Sequence, residues 1–219
     1  GWSAVQALLH PEMCETVHTD YLGVGAEVLI ANTYASNRMI LNATGFGEKV
    51  AETNAQACEA ASAARTKAGS DDTLVVGSIS CHPPHVKSQD EGGASEAGGW
   101  PFEAEQSAAF LEQAQMLAAG GVDALFVEMI TGKDRGLRCV EAACKVGLPV
   151  FVGLVCSRDR NAANILEKPA ALSEGTAVEE VVPAMLALDG ADNIVSWTIV
   201  IPGNLGCVSR RFQRRRWRS

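Results

Sequence analysis

Five short, nearly unbroken apolar runs alternate with longer amphipathic stretches along this 219-residue chain, and few folds accommodate that rhythm. The runs are AEVLIANT (26–33), TLVVGSIS (73–80), DALFVEMI (123–130), PVFVGLVC (149–156) and ADNIVSW (191–197). They are rich in Val, Ile and Leu and lack a polar face, the pattern of parallel strands covered on both sides. A parallel strand reaches its neighbour only through a long crossover. The segments 11–25, 47–69, 103–120, 133–147 and 176–189 have the length and patterning of helices that would supply it. Pro11 opens the first of them, where a missing N–H is harmless. Gly25, Gly69, Gly120 or Gly121, Gly147 and Gly190 each stand shortly before a strand, where the helix stops and the chain reverses.

Five βα units in series, with no GxGxxG after the first strand, point to an α/β chain of the closed (βα)8 barrel type and away from an open dinucleotide-binding sheet. A full barrel has eight strands and about 250 residues. The barrel is therefore expected to be incomplete here, its first strand and last strands missing or altered. Residues 1–197 form the expected partial barrel domain and 198–219 an atypical tail. The chain opens on Gly1 instead of Met, which fits a processed chain or a missing N-terminal piece.

At 47% hydrophobic and 20% charged residues the chain can bury one sizeable core. It has no apolar run long enough to span a membrane, and its N-terminus carries neither a basic region nor an apolar signal core. A cytoplasmic location without a membrane partner is the expectation. Seven cysteines, Cys14, Cys58, Cys81, Cys139, Cys144, Cys156 and Cys207, are scattered without CxxC spacing and read as free thiols. The net charge is −8, yet the last ten residues hold six arginines. Without them 12 basic residues face 26 acidic ones, so the body is strongly acidic and repels phosphate backbones. Arginines interleaved with Phe212 and Trp217 could pair with phosphates and stack on bases. However, no basic face supports them, and the strand-helix rhythm stops where they begin. The tail reads as out-of-frame sequence, and nucleic acid is not expected as a partner.

In a βα barrel the active site gathers at the C-terminal ends of the strands. That rule selects Asn32, Thr33 and Tyr34, Ser78 and Ser80, Glu128, and Cys156 with Ser157. Glu128 stands out, because a carboxylate ending an apolar strand requires a cationic partner or a proton. It reads either as the grip on a substrate amine or as a structural salt bridge to Lys133 or Arg135. The polar, Gly-rich segment 81–103 reads as a lid or substrate loop. Its CHPPH motif (81–85) has too few neighbouring ligands for a metal site and reads as loop. Cys139 and Cys144, five apart on a helix, read as core or surface thiols, and Cys156 as a thiol facing the mouth or a buried one. His10 and His18 read as structural.

Several blocks, in order, resemble the homocysteine S-methyltransferase family of zinc-dependent barrels. Pro11-Glu12, His18, Asp20-Tyr21-Leu22, Gly25-Ala26 and Asn32-Thr33-Tyr34 follow a family helix that runs into a strand ending in NTY or NTF. VVGSIS (75–80) is similar to the family's GSIGP strand, AQMLAAGGVDALFVEMI (114–130) to its "L..AGVD.LL.ET" block, and GLPVFVGLVCS (147–157) to its fifth strand. The resemblance covers about residues 2–195. It implies a barrel that transfers a methyl group to the thiol of homocysteine, forming methionine, with Zn2+ holding the thiolate. It places Glu128 on the family glutamate that holds the homocysteine amino group, with Asn32, Thr33, Tyr34 and Ser78 lining the same pocket. The partners it implies are small molecules: homocysteine and a sulfonium, ammonium or folate methyl donor.

The family's first strand, with its "DGG.GT" turn, would precede Trp2. Its zinc cysteines, one ending the sixth strand and a later Cys-Cys pair, have no counterpart in ADNIVSWT or anywhere beyond it, and Cys207 is isolated. No metal ligand is therefore assigned. Two alternatives stay open: a non-catalytic barrel remnant, and a Schiff-base lyase or aldolase using Lys133. For the tail, deleting residues 209–219 is expected to leave retention on immobilised RNA or DNA unchanged. A salt-sensitive retention lost on deletion would identify a nucleic-acid arm instead.

Overall fold

The computed structural model describes residues 5–81, 103–157, 171–172, 175–200 and 210–211. Two helices, α1 (Gln6–Leu9) and α2 (Pro11–Gly23), precede strand β1 (Val28–Ala31). Next come α3 (Arg38–Ala43), a 3-10 turn at Gly47–Lys49, α4 (Val50–Lys67) and β2 (Leu74–Ser80). Two further units follow, α5 (Glu103–Ala119) with β3 (Ala124–Ile130), and α6 (Lys133–Cys144) with β4 (Val150–Ser157). The described chain continues through β5 (Ala171–Leu172), α7 (Val178–Leu186), a 3-10 turn at Ala191–Asn193, β6 (Ile194–Val200) and β7 (Arg210–Arg211).

The five expected strands pair in sequence order, β1-β2-β3-β4-β6, and every one of these pairings is parallel. The order contains no reversal, so the sheet is wound in one direction, as in a barrel, and has no switch point of the doubly wound kind. The fold is thus α/β with a five-stranded parallel sheet among the described residues, as the sequence rhythm predicts. The five expected helices form as well, with ends trimmed by a few residues. The last strand differs most: Ala191–Asn193 closes a 3-10 turn, and β6 runs on to Val200, past the boundary expected at 197.

Four elements had no strand or helix expectation. Short helix α3 follows the Asn37 side chain, which accepts the Ile40 amide at 3.0 Å, an N-cap that the Ser-Asn pair could have announced. Helix α1 is a single turn. β5 adds antiparallel to the end of β4, and β7 pairs antiparallel with Ser196 and Trp197 of β6. Two-residue strands follow their partner's edge and carry little propensity of their own. The segment expected as a lid lies outside the described residues from 82 onward, with both histidines of CHPPH; Cys81 itself is buried.

Helices α4, α5 and α6 cover one face of the sheet. Val75, Ile79, Leu125, Val127, Val150, Val152 and Leu154 point into that layer, all at 1% exposure or less. Two glycines allow the close approach. A Cβ on Gly77 would lie 2.9 Å from a Leu117 methyl of α5, and one on Gly136 of α6 would lie 2.5 Å from Ile130 Cγ2. At the N-terminal ends of the strands, Asp123 accepts from Arg65 Nη1 of α4 and from the Val75 amide, both at 2.7 Å.

A buried polar network braces the opposite, C-terminal ends. Thr33 Oγ1 donates to the Ser78 carbonyl at 2.8 Å and accepts the Ser78 amide at 2.9 Å, joining the ends of β1 and β2. Gln113 of α5 donates to the Thr33 carbonyl at 2.7 Å and to the Ser36 hydroxyl at 3.1 Å. Asn54 of α4 donates to the carbonyls of Ser36 and Val50 at 3.0 and 2.8 Å. Thr33, Ser36, Asn54, Ser78 and Gln113 are all fully buried, so each bond replaces one that water would otherwise make. Thr33→Val keeps the shape and deprives two buried backbone groups of their shared partner. It is expected to cost about 1–3 kcal/mol in urea unfolding, with Thr33→Ser recovering most of the loss.

Candidate functional site

Strand register assembles the site. Ser80 pairs directly with Glu128, Ser78 with Phe126, and the Ala31↔Gly77 pairing sets Asn32 beside Ser78 as β1 ends. In a parallel ladder paired side chains share a face. Asn32, Ser78, Ser80 and Glu128 therefore lie on the face turned away from α4, α5 and α6. The Ser78 hydroxyl donates to Glu128 Oε1. Ser78 and Ser80 are fully buried, and Glu128 is half-buried.

Burial pushes the Glu128 carboxyl above its ordinary value, and the Ser78 bond only partly opposes this. The structural salt bridge considered from the sequence is not formed. Lys133, in the first turn of α6, pairs with Glu180 of α7, and Arg135 Nη2 donates to Thr131 Oγ1 at 3.3 Å. Among the described residues Glu128 has a hydroxyl partner and no cation. A desolvated carboxylate in that state is suited to receive a cationic group from a ligand.

Tyr34 is half-buried beside this pair. Burial raises its phenol, a hydrogen bond with the Ser80 side chain opposes the rise, and the charge of Glu128 adds to it. Asn32 ends β1 with its side chain hydrogen-bonded to the Cys14 thiol of α2. There it joins Met13, Val17, Tyr21 and Ile30 in lining a cleft of about 630 Å³ between α2 and the edge of β1. Neither Ser78 nor Glu128 lines that cleft, so the cleft and the carboxylate are separate features joined at Asn32. Thr33, with its hydroxyl on Ser78's backbone, is the brace behind the site. Cys156 is fully buried, its thiol raised first by burial and then by Glu179. The side chain of Ser157 lies outside the described set.

The structure thus brings Ser78, Ser80, Tyr34 and Glu128 together, with Asn32 at their margin. Sequence reading missed the Gln113 and Asn54 supports, because two amides on different helices converge only after the helices dock. It also missed a bulge in β3 at Glu128 and Met129, which the apolar alternation of ALFVEMI conceals.

Zinc, expected from the family resemblance, was tested against the available donors. Among the described residues no three His, Cys, Asp or Glu side chains gather as a metal site. A cysteine binds zinc as its thiolate, the form that burial disfavours at Cys58 and Cys144, pushed up to about 11, and at Cys139, pushed well above its ordinary value. The donors among the described residues do not fit zinc.

Comparisons with known proteins bear on family and fold. The homocysteine S-methyltransferase family model matches residues 2–201. Betaine–homocysteine S-methyltransferase 1 of Pongo abelii is 28% identical over 156 residues, covering 68% of this chain and 34% of that protein. The Bos taurus protein of the same name is 28% identical over 153 residues, with the same coverage. The metallated form of the homocysteine methyltransferase MmuM from Escherichia coli superposes with a TM-score of 0.67 at 22% identity, covering 90% of this chain and 66% of that one. At that identity the superposition speaks for the fold. The chain spans about a third of the length of these two curated relatives. Matched by one family model over almost its entire length, it belongs to the homocysteine S-methyltransferase family.

Proposed function

We propose that this chain carries the amino-acid end of a methyl-transfer site, holding homocysteine while its sulfur accepts a methyl group to give methionine. One observation carries the reading: Glu128 is half-buried, hydrogen-bonded by Ser78 and unpaired with any cation among the described residues. An α-ammonium group supplies the missing charge. Ser78 fixes one carboxylate oxygen and leaves the other for the ammonium, with Tyr34 and Asn32 bordering the place where the amino acid lies. Thr33 acts behind them by holding β1 to β2.

In the transfer, the sulfur of homocysteine, its thiol proton lost to solvent, attacks the methyl carbon of a sulfonium, ammonium or folate donor from the side opposite the leaving group, which departs with the electron pair of its bond to the methyl. The methyl bond to the donor breaks as the new C–S bond forms. Gripping the ammonium removes rotational freedom from the nucleophile, a contribution of orientation. No zinc donor set is present among the described residues. The Schiff-base alternative has less support, because Lys133 is ion-paired with Glu180 and an amine nucleophile must be neutral. Small-molecule partners and a cytoplasmic setting accord with this reading. No described helix is long and apolar enough to cross a membrane.

Calorimetry with L-homocysteine tests the grip. Glu128→Gln is expected to weaken binding by about 1.5–3 kcal/mol, the range for a hydrogen bond to a charged group. Equal affinity in the two proteins would remove Glu128 from the site. The pH dependence has a definite sign. Binding an ammonium requires the ionised carboxylate, whose pKa is raised in the free protein and falls on binding. Affinity should therefore drop, with proton release on binding, as pH falls towards the raised value, and the dependence should flatten in Glu128→Gln.

Stability runs the other way. A carboxyl whose folded pKa exceeds its unfolded value makes the folded state less stable as pH rises through that interval. At pH 7, Glu128→Gln should consequently melt no lower than the parent chain. A clear loss of melting temperature would assign Glu128 to the fold instead.

A further inference from the structure

The end of β3 departs from regular strand geometry at the residues that carry the proposed function. Val127 pairs with Val152 and Ile130 with Leu154, so Glu128 and Met129 together stand opposite the single residue Gly153. This is a β-bulge, and its second residue has an unusual backbone. Met129 has φ of 59°, and it is the one non-glycine residue with positive φ among the described residues. An L side chain is disfavoured there by contact between Cβ and its own backbone.

Three neighbours hold the conformation in place. Across the sheet, a Cβ on Gly153 would lie 3.1 Å from the Phe126 ring and 3.5 Å from Glu128 Cα, so any larger residue there would press the Phe126 ring aside. From β2, the Cys81 thiol lies 3.6 Å from the Met129 carbonyl and donates to it. Beyond the bulge, Ile130 is fully buried and touches the Gly136 position of α6.

The bulge has a direct geometric consequence. In an unbroken strand Glu128 and Ile130 would share a face, two residues apart. Here the extra residue switches the alternation. Glu128 stays on the Ser78 and Ser80 face while Ile130 turns to the helix layer. We propose that Met129 is a positioning residue: its left-handed backbone, seated against Gly153, lets one strand end present Glu128 to the ligand and lock Ile130 under α6. The role belongs to the backbone conformation and not to the Met side chain. It rests on the reading of Glu128 as the ammonium grip only for its effect on binding. Its effect on the carboxyl group itself is independent of any substrate.

The substitutions Met129→Gly, Met129→Asn, Met129→Ala and Met129→Val separate backbone from side chain. Glycine and asparagine accept positive φ, alanine resists it, and a β-branched valine resists it most. Two readouts apply to each variant of the full chain: L-homocysteine affinity by calorimetry, and titration of the Glu128 carboxyl carbon by NMR. Met129→Gly and Met129→Asn should bind within about threefold of the parent and keep the raised titration of Glu128. Met129→Val should bind roughly tenfold more weakly, with the titration moved towards that of an ordinary carboxylate.

A packing role for the thioether gives the reverse order, with glycine worst and valine best, and that order would overturn the proposal. If Met129→Val does not fold, Met129→Ala against Met129→Gly, one methyl group apart, carries the same comparison. Gly153→Ala probes it from the opposite strand and should shift the Glu128 titration in the Met129→Val direction. If the parent chain binds no homocysteine, the functional reading falls, while the order of the titration shifts still decides the bulge. Identical titrations in all variants would overturn it.

Discussion

Parallel pairing is the constraint on which the other features rest. A strand that hydrogen-bonds a neighbour running the same way returns through a crossover, and right-handed crossovers place their helices on one side. Every β-strand of the five-stranded path therefore ends at the same rim. Thr33 and Ser78, 45 residues apart, and Ser78 and Glu128, 50 residues apart, meet as direct hydrogen-bond partners for that reason. The glycines at 77 and 136 serve the same arrangement from the helix side. A side chain at either would push α5 or α6 off the sheet whose strands they connect.

Burial gives the site its chemistry as well as its shape. The apolar strands that exclude water from the core also desolvate the one carboxylate that ends them, which raises the Glu128 pKa and leaves it in need of a charge. The same environment keeps the core thiols of Cys58, Cys139 and Cys144 protonated. One physical effect thus prepares a carboxylate for a cationic ligand and makes these cysteines inert. The polar network of Thr33, Ser36, Asn54 and Gln113 is the complement: its groups are equally buried but nearly all are matched by partners, so it stiffens the rim.

Strand position and site geometry lead to the same carboxylate. Glu128 stands out in the sequence by its place at the end of an apolar strand, and in three dimensions it lies beside Ser78. The metal side of the family's chemistry has no such convergence among the described residues. What the structure does assemble is the Glu128 end, where a desolvated carboxylate meets the Ser78 hydroxyl.

Much of this was legible in the residues alone. The Val- and Ile-rich runs marked five strands and their parallel sense, because an apolar run with no polar face belongs to a strand reached by a helical crossover, although Val28 and Ile30 of β1 stay exposed on the face away from the helices. Glycine and proline set the helix limits through backbone sterics that act locally. Glu128, Ser78 and Asn32 were recognisable because a polar side chain closing an apolar run is a local anomaly. Other features were not legible, and for a common reason. The convergence of Gln113 and Asn54 on Ser36, the engagement of Lys133 by Glu180 and the left-handed Met129 opposite Gly153 are each decided by a partner far away in the chain. Local sequence determined which elements form and which residues end them; only tertiary packing decided which of those residues share a hydrogen bond, a charge or a bulge.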